Sequence, residues 1–134
     1  MFLLGLSGSG KSTVGPLLAL RMGCAFLDMD ECISDRAGRP VAQIFREEGE
    51  IGFRAREMDL LAELVRGSEP LVVATGGGAL VSAANRALVR EGGARRVWLR
   101  VTPEVAAARC RRDAATAELR PLLGGEELEG RLAE

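Results

Sequence analysis

Residues 5–12 read Gly5-Leu6-Ser7-Gly8-Ser9-Gly10-Lys11-Ser12 and match the pattern Gly-x-x-x-x-Gly-Lys-[Ser/Thr]. That pattern demands a strand before it and a helix after it. The apolar run Phe2-Leu3-Leu4 lies directly before the loop, and Thr13 to Met22 reads as a helix despite Gly15 and Pro16 in its early turns. Glycines let the backbone approach an anion, and the helix behind the loop offers its N-terminal amides to the same charge. Lys11 is the single lysine among 18 basic residues. Its compact ammonium suits a tight cradle of amides where a planar guanidinium does not. Ser12 can give its hydroxyl to Mg²⁺. Gly8, Ser9, Gly10, Lys11, Ser12 and Thr13 are therefore expected to hold the phosphates of a nucleoside triphosphate.

A chain of 134 residues corresponds to a single domain, long enough to bury about two-thirds of its unfolded surface. The net charge of −1, the scattered arginines and the single Trp with four Phe leave no basic, aromatic surface for nucleic acid. No apolar stretch approaches the ~20 residues of a membrane span, and the N-terminus lacks a basic region and a cleavage site. Cys24, Cys32 and Cys110 are odd in number and lack Cys-x-x-Cys spacing, so reduced thiols in a cytoplasmic protein are expected. With no His and no Tyr, a general base has to be a carboxylate.

Strand and helix signals alternate along the whole chain without a linker or repeat. Cys24 to Asp28 is a short apolar run ending in an acid. Glu31–Arg36 and Val41–Glu48 read as helices around a turn at Ala37-Gly38-Arg39-Pro40. Ile51 to Arg66 has amphipathic spacing. Leu71-Val72-Val73-Ala74 is a buried strand between Pro70 and three glycines. Ser82 can cap a helix to about Glu91. Val97–Val101 gives a fourth strand, and Thr102-Pro103 opens a further helix. Repeated β-α units imply a parallel sheet covered by helices on both faces, with ligands at the carboxyl ends of the strands.

Four further motifs lie near that edge. In Phe26-Leu27-Asp28-Met29-Asp30, one carboxylate can hold Mg²⁺ and the other can take the proton of a substrate hydroxyl. A plain helix cap with first-turn acids would explain the same residues. Arg54 and Glu57 share a helix face, so the carboxylate can fix a guanidinium fitted to a substrate carboxylate, although such pairs also occur as simple surface ion pairs. Thr75-Gly76-Gly77-Gly78-Ala79 exposes successive amides after a buried strand, as a ligand floor or as a flexible turn. Leu119-Arg120-Pro121-Leu122-Leu123 follows a polar, alanine-rich stretch suited to a mobile loop that delivers an arginine, with Arg109, Arg111 and Arg112 just before it.

In order and approximate spacing these motifs resemble those of shikimate kinases, in the nucleoside-monophosphate-kinase-like group, from about residue 2 to Leu123. The resemblance implies an α/β P-loop three-layer sandwich, a parallel sheet flanked by helices, in one domain over 1–134 with a mobile lid at about 111–124. It implies MgATP-dependent phosphorylation of shikimate. Catalysis would fall to Lys11, Asp30 and Arg120, and the metal to Ser12 and Asp28. Arg109 would lie beside the adenine. Shikimate would be bound by Asp30, Arg54 (held by Glu57), Gly76, Gly77 and Gly78. ATP or ADP and shikimate would be the only partners of a monomer, with neither nucleic acid nor membrane involved.

The alternatives are a gluconate-kinase-like enzyme, disfavoured by Phe53-Arg54 with Glu57 and by Arg120-Pro121, and a nucleotide-binding module without catalysis. In the family another arginine beyond the lid also binds the substrate carboxylate, and a later loop packs on adenine. The sequence stops at Glu134, before either, and Arg131 does not sit in that arginine's usual surroundings. A chain ending there is expected to bind ADP measurably and to phosphorylate shikimate poorly.

Overall fold

The computed structural model describes residues 1–112. Four strands among them form one parallel sheet: β1 (Phe2–Leu4), β2 (Ala25–Asp28), β3 (Leu71–Ala74) and β4 (Arg96–Trp98), in the order β2-β3-β1-β4. The connections carry α1 (Lys11–Met22), α2 (Met29–Ala37), α3 (Val41–Arg66) and α4 (Ala83–Glu91), with α5 (Pro103–Arg112) after β4. Each interior strand buries both of its faces, so its sequence is continuously apolar rather than alternating. Phe2 and Val73 turn to one side, where they meet Met29, Ile33, Ile44, Phe53, Leu60, Leu61 and Val89 from α2, α3 and α4. Leu3 and Val72 turn to the other, against Ala19 of α1. The result is three layers, with the expected sheet between helices.

Several boundaries differ from the sequence expectation for physical reasons. α1 begins at Lys11, two residues early, because Gly10 caps it in a left-handed conformation (φ 97°). Gly15 is buried in α1 and presses on the Phe26 ring: a methyl group there would come within 2.2 Å of it. That close approach explains a glycine within a helix. α2 begins at Met29, since Asp28 accepts hydrogen bonds from the amides of Asp30 and Glu31 and so caps it. β4 spans Arg96–Trp98 only, not 97–101, and its side chains lie largely exposed.

The two helices expected at Val41–Glu48 and Ile51–Arg66 are both present; they are numbered together as α3 and meet at Gly49, whose backbone (φ 70°, ψ −176°) is not helical. This backbone region is open essentially to glycine alone. Glu48 braces the bend: Arg56 donates to it through Nε and Nη2, each at 2.9 Å, and Arg39 also donates to it. No disulfide joins Cys24, Cys32 and Cys110. No helix among the described residues is long and apolar enough to cross a membrane.

Candidate active site

The parallel register aligns the strand ends. Asp28 pairs with Ala74, Leu3 with Ala74, and Leu4 with Trp98. The segments that follow β1, β2 and β3 therefore leave the sheet at one edge. Thr75 ties two of them together, donating to the Leu3 carbonyl through its amide and through Oγ1, both at 3.1 Å.

The phosphate loop occupies the turn after β1. Lys11 is 4% exposed, and its Nζ donates to the carbonyls of Gly5 (2.7 Å) and Leu6 (2.8 Å) and to Ser9 Oγ (3.3 Å). A buried ammonium needs such partners, and carbonyl oxygens are ones that phosphate oxygens can displace. α5 closes the loop from outside. Arg109 Nη1 donates to the Gly8 carbonyl at 3.2 Å, and a methyl group on Gly8 would meet Ala106 O at 2.5 Å and Cys110 Sγ at 3.0 Å. Arg109 is thereby placed at the phosphate loop, while Ala106 and Cys110 are supports that no sequence motif announced.

Ser12 Oγ donates to Asp28 Oδ2 at 2.8 Å, while Asp28 Oδ1 accepts from the Asp30 amide at 2.9 Å. One oxygen of Asp28 thus caps α2, as the helix-cap reading expects, and the other faces the loop. Hydroxyl and carboxylate oxygens side by side form a hard donor set suited to Mg²⁺. Among the described residues no cluster of three or more His, Cys, Asp or Glu could hold a metal alone. A cation at Ser12 and Asp28 would have to take its remaining ligands from phosphates and water.

Across the edge, Gly76, Gly77 and Gly78 run so close to neighbouring groups that a side chain at any of them would have to displace one. A methyl group would lie 2.7 Å from Glu57 Oε1 and 3.0 Å from Asp30 Oδ1 at Gly76, 2.6 Å from Ser7 Oγ at Gly77, and 2.6 Å from Arg54 Nη2 at Gly78. One glycine strip therefore borders the phosphate loop, Asp30 and Arg54 together. Ser7, itself buried, is the contact that joins strip to loop, and the sequence reading did not single it out.

Arg54 Nη1 donates to Glu57 Oε2 at 2.7 Å; Nη2 lies 3.5 Å from Glu50 Oε1, and the guanidinium stands over the Phe53 ring at 5.5 Å. Glu50 is a second holder that the Arg54–Glu57 spacing alone did not reveal, although it stands four residues before Arg54. Glu57 is completely enclosed. Its pKa is raised from the ordinary value chiefly by burial, with the Asp30 and Glu50 charges adding to the shift and Arg54 opposing it. Arg111 and Arg112, expected at the start of the lid, are the last residues of α5. The rest of that stretch, with Arg120, and Arg131 beyond it lie outside the described residues.

The arrangement offers an anion cradle, a hydroxyl–carboxylate pair at its mouth, a second carboxylate two residues on and a held guanidinium, all at one sheet edge. Comparison with known proteins is consistent with this. The family model described as shikimate kinase matches residues 7–134. A shikimate kinase of Moorella thermoacetica is 46% identical over 125 residues, covering 93% of this chain and 69% of that protein. One from Synechococcus sp. (strain RCC307) is 45% identical over 132 residues, covering 98% of this chain and 65% of its own length. The solved structure of shikimate kinase from Acinetobacter baumannii in complex with shikimate superposes with a TM-score of 0.87 at 41% identity, over 98% of this chain and 70% of that one. The chain thus spans about two-thirds of the length of these relatives.

Proposed function

The chain belongs to the shikimate kinase family, and from that premise we propose that it transfers the γ-phosphoryl group of ATP to a shikimate hydroxyl, giving shikimate 3-phosphate and ADP. The observation that carries the reading is the glycine strip at 76–78, which borders the phosphate loop, Asp30 and the Arg54 guanidinium at once. A donor nucleotide in the loop and a carboxylate-bearing acceptor on Arg54 would then meet over a backbone floor without side chains in the way.

Asp30 binds the ring hydroxyls and takes the proton of the one that attacks. That oxygen bonds to the γ-phosphorus as the bond to the β–γ bridging oxygen breaks, and the electron pair leaves with ADP. Such a reaction asks for alignment and charge stabilisation more than for covalent chemistry. Lys11 exchanges the loop carbonyls for phosphate oxygens, and the amides of Gly8, Ser9, Gly10, Ser12 and Thr13 surround the same phosphates. Mg²⁺, held at Ser12 and Asp28, would neutralise charge on the nucleotide's phosphates. Arg54 grips the shikimate carboxylate through two parallel N–H bonds, and Gly76, Gly77 and Gly78 line the ring. Arg109 lies beside the adenine; the catalytic role expected of Arg120 falls on a residue outside those described.

A coupled ADP-release assay with shikimate, gluconate and nucleoside monophosphates as acceptors tests the assignment. Turnover with shikimate alone is expected. ADP release with gluconate or a nucleoside monophosphate, and none with shikimate, would overturn it.

A further inference from the structure

Glu57 is 0% exposed, yet among the described residues only one of its oxygens has a hydrogen-bond partner. Oε2 accepts from Arg54 at 2.7 Å, whereas Oε1 is buried without a hydrogen-bond partner among the described residues. Oε1 faces Gly76, on the side where Asp30 Oδ1 also converges. Among the described residues the charges around it are few. α3 itself supplies Arg54 and the like charge of Glu50, α2 supplies the like charge of Asp30, and the loop after β3 presents the backbone of Gly76. One guanidinium is therefore the counter-ion of an enclosed carboxylate, and Glu50 at 3.5 Å already takes a share of it.

A substrate carboxylate arriving at Arg54 changes that balance twice. It claims guanidinium N–H donors, and it adds a negative charge close to Glu57. Keeping an ion buried while its counter-charge is drawn away is costly, and such groups neutralise instead. We propose that binding of shikimate to Arg54 is coupled to uptake of one proton from solvent by the Glu57 carboxylate, so that the guanidinium charge passes from Glu57 to the substrate. The proposal rests on Arg54 as the site of the shikimate carboxylate. Even before binding, burial holds the Glu57 carboxyl above its ordinary value, with Asp30 and Glu50 pushing the same way. The group thus starts closer to protonation than an exposed glutamate. Glu57 is then a positioning residue that acts through Arg54. In its charged form it fixes the guanidinium, and in its neutral form it leaves the whole positive charge to the ligand.

Calorimetric titration of shikimate into the full chain, in pairs of buffers with different ionisation enthalpies from pH ~5 to ~8, counts the protons. The expected result is net uptake rising to about one proton per shikimate, with the dissociation constant growing by up to about tenfold per pH unit in the same window. Glu57→Gln, which cannot titrate, should bind without uptake. Infrared difference spectra of protein carrying carbon-13 in its glutamate carboxyls should show a protonated carboxyl appear on binding, a readout that does not depend on the variant folding. Normal shikimate binding with no uptake and no new carboxyl band overturns the proposal, as does uptake that survives in Glu57→Gln. Absence of shikimate binding, or binding indifferent to Arg54→Lys, would instead overturn the placement of the substrate carboxylate on Arg54.

Discussion

At the scale of single residues the site depends on geometry more than on charge. Arg54 meets Glu57, Glu50 and the face of Phe53, contacts that a planar guanidinium can make together and a point charge cannot. Arg54→Lys should weaken shikimate binding by about 1.5–3 kcal/mol, the worth of a charge-assisted bond, and leave ATP affinity unchanged. Titration with each ligand separately checks this, and a variant that loses ATP but keeps shikimate defeats the assignment. The two aspartates should also separate. Asparagine is as good a helix cap as aspartate, so Asp28→Asn keeps α2 in place while removing the charge beside Ser12. It should raise the Mg²⁺ concentration needed for turnover. Asp30→Asn should lower turnover and shikimate binding even at saturating Mg²⁺. Equal Mg²⁺ dependence in the two variants would refute this division.

At the scale of elements α3 is the part that carries Arg54, the proposed grip on the substrate carboxylate. Its first half packs Val41 and Ile44 into the core, and its second half presents Phe53, Arg54 and Glu57. Gly49 sets the angle between the halves. Gly49→Ala meets no atom within 4 Å, so its cost is backbone strain alone, about 1–3 kcal/mol. The variant should unfold at lower urea concentration and bind shikimate less tightly, with ADP affinity little changed because the phosphate loop lies on another element. Full retention of both stability and shikimate affinity would show that the bend does not aim Arg54.

At the scale of the whole molecule Glu57 links stability to pH. Its pKa in the folded state is raised, so the folded chain binds this proton more readily than the unfolded chain. Stability from this group is therefore fully present below the unfolded value and is lost as pH rises through the folded one. Relative to Glu57→Gln, the wild type should gain stability as pH falls from about 8 to about 5, measured by urea unfolding at each pH. A difference that stays constant, or changes in the opposite sense, would show that burial does not control this carboxyl.

Much of this architecture is readable from the chain because its signals are local. The apolar runs at Phe2–Leu4 and Leu71–Ala74, the Gly-x-x-x-x-Gly-Lys-Ser turn and the cap at Asp28 each determine a few neighbouring residues. What escaped the sequence reading depends on residues far apart. Ser7 meets Gly77, and Cys110 supports Gly8, only after the sheet order is set, and no spacing rule encodes that order. The ends of β4 were misjudged because an exposed strand with Trp98 and Arg96 lacks the apolar signal of an interior one. The break at Gly49 is legible as a boundary between two helices; the angle it sets between them is not.

That order also fixes a sequence of events in time. Of the four described strands β1 comes earliest in the chain, yet its neighbours are β3 and β4, with Phe2 paired to Val73 on one side and Arg96 on the other. A ribosome adding ~5–20 residues per second needs roughly 5–20 s to make the second neighbour after the first strand. Throughout that interval Phe2-Leu3-Leu4 has no place in a finished sheet, and the turn that follows it has no frame. The phosphate-loop segment thus leaves the ribosome well before the strands that give it its frame, and nascent chains stalled before β4 should be unable to retain a nucleotide.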